Sequence, residues 1–428
     1  MKILTANYVL PIVGSPIENG GVAIAGSEIV AVGTRENIIE QYPDAVVDDF
    51  GEAAILPGFV NCHSHLEITS MRGALDDVEH DFTAWLLRLN DIRSKLSEQE
   101  ICDAAIAGAV EGVQAGVTCF GDIGRFGVAG FEALRSVGLR GVLFQETEFS
   151  ADNATAESDL KKLIEKFESL RATETALVKV GISPHSPYTV SPRLLSLIAD
   201  YAVANDVSLT IHAAESADEE ELLRNGTGFF KEVYKKFGVT WESPKCSAIE
   251  YLDRLGVLRA QLLLAHCVTV SKSDIELIAN SNTGISHCPK SNAKLGHGYA
   301  PFEAFLDAGI AVGLGSDSVA SNNVCDILEE SRFAALAARN RESSARFITA
   351  KEMLEAATLG GARALRLHDK IGTLEAGKQA DIAVVSLSNK AQQPINDIHT
   401  ALVFSSNARD AVMTMVAGHE LYRNTYVG

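Results

Sequence analysis

The sequence predicts an α/β protein in two parts, a (β/α)8 TIM barrel and a small β-sandwich domain built from both chain ends. Between residues 58 and 318, short apolar stretches alternate with longer stretches of helical periodicity, which is typical of parallel strands separated by helices. The two ends instead contain short alternating runs punctuated by glycine, as antiparallel hairpins do. A chain of 428 residues is long enough to build both parts.

Eight apolar stretches are the candidate barrel strands. They occupy residues 58–65, 117–123, 140–148, 177–186, 208–215, 261–268, 283–289 and 310–318. Two of the intervening helical stretches begin at Ser97 and Ser191, which are suitable N-cap residues. Eight such units fit a closed barrel. A doubly wound open sheet is the alternative, but no GxGxxG sequence follows the first strand to support it.

The chain ends are predicted to form one domain together. The N-terminal part contains "GGVAIAGSEIVAVG", and the C-terminal part contains "GKQADIAVVSLS" and "DAVMTMVAGHELYRN". Neither end alone offers enough strands for a stable sheet, so we expect the two ends to pair. The predicted division is residues 1–57 and 366–428 for the two parts of the sandwich, and residues 58–365 for the barrel.

Composition restricts the ligands and the compartment. The formal net charge of −19 argues against a nucleic-acid partner and favours a small-molecule ligand. No apolar run reaches transmembrane length, and no small-residue cleavage site follows the first apolar run, so we expect no membrane partner. Seven cysteines without a CxxC pair suit a reducing compartment. We therefore predict a cytoplasmic protein.

Polar residues gather at the predicted C-terminal ends of the strands, where barrels carry their active sites. His63 and His65 are two residues apart in a strand, so they point to the same face. The other strand-end residues are Asp122, His185, His212, Glu215, His266, His287 and Asp317. Because three imidazoles and a carboxylate from strands one, five and eight can converge, we predict a metal site formed by His63, His65, His212 and Asp317.

The nature of the ligands indicates which metal and how many. Nitrogen and oxygen ligands without thiolate suit zinc or ferrous iron, with a position left open for water. A second metal in such a barrel needs a bridging carboxylated lysine at a strand end, but Lys179 falls in the middle of strand four. We therefore predict one divalent metal, with zinc favoured over iron or manganese.

Five motifs resemble those of the amidohydrolase superfamily, in the branch of cytosine-deaminase-like and chlorohydrolase-like enzymes. They are "PGFVNCHSHLE", "HAAE" at 212–215, "AHC" at 265–267, "SHCPKSNAKLGHG" at 286–298 and "GLGSDS" at 313–318. The resemblance implies that His63, His65, His212 and Asp317 hold the metal. It also implies that Glu215 shuttles a proton and that His266 orients the attacking water. Relatives often dimerise, which leaves a homo-oligomer open.

The expected chemistry is hydrolysis of a carbon–nitrogen bond. A bound divalent metal lowers the pKa of its water and so supplies hydroxide at neutral pH. Asp317 can accept the proton of the water while His266 polarises it, and Glu215 can donate a proton to a ring nitrogen of the substrate. Glu215 needs a raised pKa for this role, which burial beside a ring-shaped ligand would provide. The exocyclic amine then leaves as ammonia.

Two further stretches resemble nucleoside deaminases. "SPHSPYT" (183–189) and "FTAWLL" (82–87) are similar to motifs of S-adenosylhomocysteine and methylthioadenosine deaminases, which implies that His185 and Trp85 contact the nucleoside. Those enzymes follow the tryptophan with Pro-x-Glu to hold the ribose, whereas this chain has "RLNDIRSKL". This pattern resembles deaminases of 6-amino-6-deoxyfutalosine, which carries a benzoate. Glu67 is then the candidate for the sugar, and the candidates for a carboxylate are Arg72, Arg88, Arg93 and Arg125.

The resulting hypothesis is a metal-dependent hydrolytic deaminase of a 6-aminopurine nucleoside of the aminodeoxyfutalosine, S-adenosylhomocysteine, methylthioadenosine or adenosine type. The same groups would serve a deaminase or chlorohydrolase of guanine, cytosine or an s-triazine, which is the alternative. A cyclic-amide hydrolase is disfavoured by the absence of a lysine at the end of strand four. A non-catalytic binding protein is disfavoured because no residue of the expected catalytic set is missing.

Overall fold

A computed structural model describes residues 1–341 and 346–424. Its strands are β1 Lys2–Val9, β2 Ile17–Ala25, β3 Glu28–Thr34, β4 Val46–Asp49, β5 Ala53–Pro57, β6 Phe59–Ser64, β7 Val117–Gly124, β8 Arg140–Glu146, β9 Val178–Ser183, β10 Ser208–Ala213, β11 Gln261–His266, β12 Gly284–His287, β13 Val312–Leu314, β14 Ile382–Ser386, β15 Ala411–Val416 and β16 His419–Arg423.

The α-helices of the described residues surround the barrel or lie on the terminal sheet. They are α1 Arg35–Gln41, α2 Phe82–Arg93, α3 Glu98–Gln114, α4 Val128–Val137, α5 Ala156–Arg171, α6 Pro192–Asn205, α7 Ala217–Asn225, α8 Phe229–Lys236, α9 Ala248–Arg254, α10 Lys272–Asn280, α11 Pro289–Lys294, α12 Phe302–Asp307, α13 Val319–Asn322, α14 Ile327–Arg339, α15 Ala350–Glu355, α16 Gly361–Ala364 and α17 Ile398–Thr400. None of the described helices is long and apolar enough to cross a membrane.

The strands β6 to β13 form a closed barrel in which every neighbouring pair is parallel. Closure occurs where Leu314 of β13 pairs with Asn61 of β6. The Ser97 side chain accepts a hydrogen bond from the Glu100 backbone at the start of α3, and Ser191 caps α6 in the same way. The predicted (β/α)8 barrel is confirmed.

The two chain ends pair into a second domain, as predicted. The central contact is antiparallel pairing of β5 with β14, in which Leu56 lies opposite Ala383. The strand order is β16-β15-β14-β5-β1-β2-β3, with β4 beside β1. Glu28 at the start of β3 also forms a bridge with Gln379 just before β14, so a single mixed sheet turns back on itself. Apolar side chains from both ends fill its core, among them Leu4, Val22, Ile55, Ile382 and Met413.

A buried ion pair joins this sheet to the barrel. Arg140, the first residue of β8, donates to both carboxylate oxygens of Asp381 at 2.7 and 3.0 Å, and the backbone N–H of Ala417 donates to the same carboxylate. The two side chains are only 3% and 1% exposed. If one partner were removed, the other charge would stay buried without a counter-charge, which is costly in free energy. The pair therefore stabilises the contact between the two domains.

We expect Asp381→Asn to lower the free energy of unfolding by about 3–5 kcal/mol, because it leaves the Arg140 guanidinium buried without a counter-charge. Chemical denaturation measures this loss. The matched control is Asp77→Asn, which removes the exposed ion pair between Asp77 and Arg88 and should leave the stability almost unchanged. Equal stability of the two variants would contradict a structural role for the buried pair.

Candidate active site

Three imidazoles and one carboxylate meet at the C-terminal end of the barrel. His63 and His65 come from the end of β6, His212 from β10, and Asp317 from the segment after β13. The Asp317 Oδ1 atom lies 3.4 Å from His63 Nε2 and 3.5 Å from His65 Nε2, and the Nε2 atoms of His65 and His212 are 3.3 Å apart. The structure therefore brings together the four residues that the sequence predicts as metal ligands.

The donor atoms fit one divalent metal ion. Two atoms that both bind one ion at about 2.0–2.1 Å lie no more than about 4 Å apart, and the separations of 3.3–3.5 Å between these atoms satisfy this limit. Neither ring nitrogen of His63 has a hydrogen-bond partner among the described residues, although the residue is fully buried. The His212 Nδ1 atom donates to the carbonyl of His185 at 2.9 Å, which leaves its Nε2 lone pair free for a ligand bond.

The protonation states also suit a metal. Burial lowers the pKa of His63 to about 4 and that of His65 to about 3, so both rings are neutral, as metal ligands are, at pH 7. Burial alone would raise the pKa of Asp317, but contact with His63 and the neighbouring imidazoles holds it well below the usual range. Its other oxygen, Oδ2, accepts hydrogen bonds from Ser291 at 2.6 Å and Ser321 at 2.8 Å, which orient the carboxylate.

Several site residues lie where the backbone leaves the strands in an unusual conformation. His185, His266 and Asp317 have φ angles of 42°, 74° and 55°, in the left-handed region that side chains disfavour. Two predicted strands, 177–186 and 310–318, are therefore too long, since the observed strands end at Ser183 and Leu314. Strain of this kind costs about 1–3 kcal/mol per residue and is common at functional sites.

Glu215 lies next to the four predicted metal ligands and is 5% exposed. Its Oε1 atom is 3.7 Å from His266 Nε2 and 3.5 Å from His297 Nε2, and the Tyr188 hydroxyl donates to Oε2 at 3.5 Å. Burial raises the pKa of Glu215, but the imidazoles of His266, His297 and His212 outweigh it and lower the pKa overall. Without a substrate ring beside it, Glu215 is thus a carboxylate, which can accept a proton first.

His266 is held in one orientation by the loop after β12. Its Nδ1 atom lies 2.8 Å from Asn292 Oδ1, an acceptor, so Nδ1 carries the proton and Nε2 faces Glu215. His297 is a neighbour that the sequence reasoning missed, although it belongs to one of the quoted motifs. It lies between Gly296 and Gly298, whose φ angles of 71° and 103° turn the loop back over the site.

A cavity of about 360 Å³ opens from the predicted metal ligands to the surface. His65, His212, Glu215, His266 and Asp317 line its inner end. The outer wall is apolar and comes mainly from α2 and α8, with Phe82, Leu86, Phe149, Phe229, Phe230 and Phe237. This volume and lining suit a small organic ligand.

Four predicted substrate contacts line the cavity, namely Trp85, His185, Arg93 and Arg125. Arg72 and Arg88 do not; Arg72 forms an ion pair with Glu111, and Arg88 pairs with Asp77 on the exposed side of α2. Of the strand-end residues, Asp122 and His287 also lie outside the cavity lining, and the Asp122 carboxylate accepts hydrogen bonds from Ser64 and from the Leu66 backbone instead.

Glu67 is not placed to hold a sugar, which corrects the expectation for that residue. It lies in a 3-10 helix, Leu66–Met71, outside the cavity lining. Its carboxylate accepts hydrogen bonds from three consecutive backbone N–H groups, those of Arg125, Phe126 and Gly127, at 2.8–3.2 Å. The acceptors of Glu67 are thus used to fix the loop that carries Arg125.

The barrel and its three-histidine, one-carboxylate group define the class of a metal-dependent hydrolase. Residues 54–421 match the model of the Amidohydrolase family, and the chain belongs to that family. A curated relative, the 5-methylthioadenosine/S-adenosylhomocysteine deaminase of Desulforudis audaxviator, is 32% identical over 438 aligned positions, which cover 100% of this chain and 95% of the relative. The motif-based identification of the superfamily is confirmed.

Two solved structures are similar along nearly the whole chain. An adenosine deaminase from Xanthomonas campestris with bound zinc has a TM-score of 0.85 at 26% identity, covering 98% of this chain and 92% of that one. An aminofutalosine deaminase from Helicobacter pylori, in complex with methylthio-coformycin, has a TM-score of 0.83 at 23% identity, covering 98% and 100%. The second likeness shows the fold alone.

Proposed function

We propose that the protein is a hydrolytic deaminase that converts a 6-aminopurine nucleoside and water into the 6-oxopurine nucleoside and ammonia. The observation that carries this proposal is the contact of Glu215 with His266 at the inner end of the cavity, beside three histidines that could hold a metal and the Asp317 carboxylate that contacts two of them. The names of the D. audaxviator and X. campestris relatives, both deaminases of adenine nucleosides, support the same reaction.

His63, His65, His212 and Asp317 would hold one divalent metal, and we propose zinc because the X. campestris relative contains it. Such an ion, when bound, supplies the Lewis acidity that makes water nucleophilic at neutral pH. Asp317, with one oxygen directed at the ligand group, can take a proton from the attacking water. His266, fixed by Asn292, orients that water through Nε2.

Glu215 delivers a proton to the purine. As a carboxylate beside His266 and His297, it can accept a proton from the water and pass it to the ring nitrogen next to the carbon that is attacked. Protonation of that nitrogen makes the carbon electrophilic, and the amine leaves as ammonia after receiving the second proton of the water, which Asp317 has taken. The Tyr188 hydroxyl holds the second oxygen of Glu215, so the carboxylate keeps its orientation through the cycle.

The base and the sugar fit the middle of the cavity. Trp85 is 7% exposed, lines the cavity, and presents an indole N–H without a hydrogen-bond partner among the described residues. His185 lies deeper, with its Nδ1 atom fixed by Ser186 and Thr189 at 2.9 and 2.8 Å, so its Nε2 side faces the cavity. We propose that Trp85 packs on the nucleoside and that His185 contacts it with Nε2.

Two guanidinium groups suit an anionic group at the far end of the substrate. Arg93 and Arg125 both line the cavity, and the Arg125 Nε atom is buried without a hydrogen-bond partner among the described residues. A carboxylate is the natural partner for such donors. The apolar wall formed by Phe149, Phe229 and Phe237 would surround the chain or ring that connects this carboxylate to the ribose.

The experiment that tests the function follows the absorbance change from adenine to hypoxanthine across several nucleosides. The panel contains adenosine, 5′-methylthioadenosine, S-adenosylhomocysteine and aminodeoxyfutalosine, with free adenine as the control. We expect turnover of nucleosides and rejection of adenine, because cavity groups left unpaired cost about 1–3 kcal/mol each. Ammonia release from guanine or cytosine, or chloride release from a chlorotriazine, without any nucleoside turnover would overturn the nucleoside proposal and leave the hydrolase class intact.

A second experiment tests the arginine proposal. We expect Arg125→Gln to lower kcat/KM by about 10–100-fold for S-adenosylhomocysteine or aminodeoxyfutalosine, because these substrates carry a carboxylate. The kcat/KM for adenosine, which has no carboxylate, should stay nearly unchanged. Arg88→Gln is the matched control, because Arg88 lies outside the cavity lining. Equal losses on carboxylate-bearing and carboxylate-free substrates would show that Arg125 does not recognise the anion.

We further propose a cytoplasmic location for the enzyme. The seven cysteines are free thiols, and six of them are buried, which suits a reducing compartment.

The formal net charge of −19 disfavours nucleic-acid partners and leaves small molecules as ligands. A homo-oligomer remains a prediction from the resemblance, and light scattering of the purified protein would test it.

A further inference from the structure

Glu146 is a buried acid in the cavity that the roles assigned above leave unused. It is the last residue of β8, and it lines the cavity while being only 4% exposed. Its Oε1 atom is buried and has no hydrogen-bond partner among the described residues. His185 Nε2, at 3.9 Å, is too far away to donate a hydrogen bond. The charge of Glu146 interacts with the Arg93 guanidinium, but no donor occupies Oε1, so a ligand with hydrogen-bond donors would stabilise this position.

The other acids near the cavity already have partners or roles, which leaves Glu146. Among the described residues, the acids that line the cavity are Glu146, Glu148, Glu215 and Asp317. Glu215 and Asp317 belong to the reaction centre, and the Glu148 side chain is 68% exposed and pairs with Lys166 at 3.1 Å. Glu67 is already occupied by three backbone N–H groups. Glu146 is therefore the cavity acid with acceptors free for a substrate.

A second metal at Glu146 is disfavoured by the histidines beside it. Glu146, His185 and His212 bring three donor atoms within 4.8 Å of one another. However, His212 Nδ1 is engaged with the His185 carbonyl, and its Nε2 faces His65 in the main ligand group. Such a site would lack one of its two nitrogen ligands whenever the main group is loaded, so neutral hydroxyl donors are the better fit.

We propose that Glu146 binds the ribose hydroxyl groups of the nucleoside, an inference that rests on the proposed function. The two oxygens of a carboxylate can accept from two neighbouring hydroxyls, and the 2′- and 3′-hydroxyls of ribose are such a pair. Glu146 lies next to His185, which we place against the nucleoside. The carboxylate thus makes the cavity specific for ribonucleosides over deoxyribonucleosides.

The test compares adenosine with 2′-deoxyadenosine and 3′-deoxyadenosine in the metal-loaded enzyme. For the wild-type enzyme we expect kcat/KM to fall roughly 10–100-fold when one hydroxyl is absent, as for loss of a hydrogen bond to a charged group. In Glu146→Gln the preference for adenosine should shrink to a few-fold, while the metal content stays the same.

Glu148→Gln is the matched control and should keep the full preference for ribose, since its carboxylate pairs with Lys166. An unchanged preference in Glu146→Gln overturns the assignment, and so does a loss of metal in that variant. If the variant does not fold, the wild-type enzyme still decides, because equal turnover of the three nucleosides excludes a ribose-binding acid. Failure of the proposed function itself has a different signature, namely no turnover of any adenine nucleoside by the wild-type enzyme.

Discussion

Asp317→Asn is expected to lower kcat by about 10³-fold or more and to weaken metal binding, because the substitution removes both a proton acceptor and an anionic ligand. Asp317 Oδ1 lies 3.4–3.5 Å from the Nε2 atoms of His63 and His65. Its pKa lies well below the usual range, because the imidazoles outweigh the burial that would raise it. The charge that asparagine lacks is thus present in the native protein at neutral pH. Deamination kinetics and elemental analysis of the purified variant measure the two effects.

Asp122→Asn is the matched control for this experiment. Asp122 is also a fully buried aspartate at the end of a barrel strand, but it lies outside the cavity lining. Burial raises the pKa of Asp122 to about 8, so at pH 7 the native side chain is mostly neutral and asparagine resembles it closely. We expect this variant to keep its metal and most of its activity. Similar losses in both variants would mean that the effect at Asp317 is structural.

The convergence of the four proposed metal ligands was predictable from the sequence because two simple rules act together. Alternation along a strand places His63 and His65 on one face, and the parallel barrel places His212 and Asp317 at the same edge. Neither rule depends on the conformation of a loop. The four side chains therefore converge as predicted, although the strand limits near Asp317 were wrong.

The residues that were mispredicted depend on loops and on local turns. Glu67 follows the HxHL sequence directly, but the chain there enters a 3-10 helix that directs the carboxylate to the backbone of 125–127 and away from the cavity. His297 contacts Glu215 because two glycines turn its loop. The alternation of apolar and polar residues in the sequence does not predict such a turn. Glu146 was recognisable in principle as an acid at the end of a predicted strand, but its lack of a partner is visible only in three dimensions.

Glu215→Gln is expected to keep the metal while kcat falls by about 10²–10⁴-fold, the usual contribution of a general acid–base group. Glu215 contacts His266 and His297 at 3.7 and 3.5 Å and lies outside the group formed by His63, His65 and His212. A glutamine fills the same space, but it cannot carry the proton from water to the purine ring. The measurement combines the rate of adenine-to-hypoxanthine conversion with the metal content of the same preparation.

Two variants from neighbouring positions make this result specific. His212→Ala should lose metal as well as activity, because the Nε2 atom of His212 is one of the proposed ligand atoms. Glu219→Gln should keep both the metal and the activity. Burial raises the pKa of Glu219 to about 8, so its side chain is mostly neutral at pH 7. It accepts a hydrogen bond from the Glu215 backbone at 2.8 Å, and glutamine can accept the same bond. If Glu215→Gln loses as much metal as His212→Ala, then Glu215 is a ligand and the proton-transfer role assigned to it is wrong.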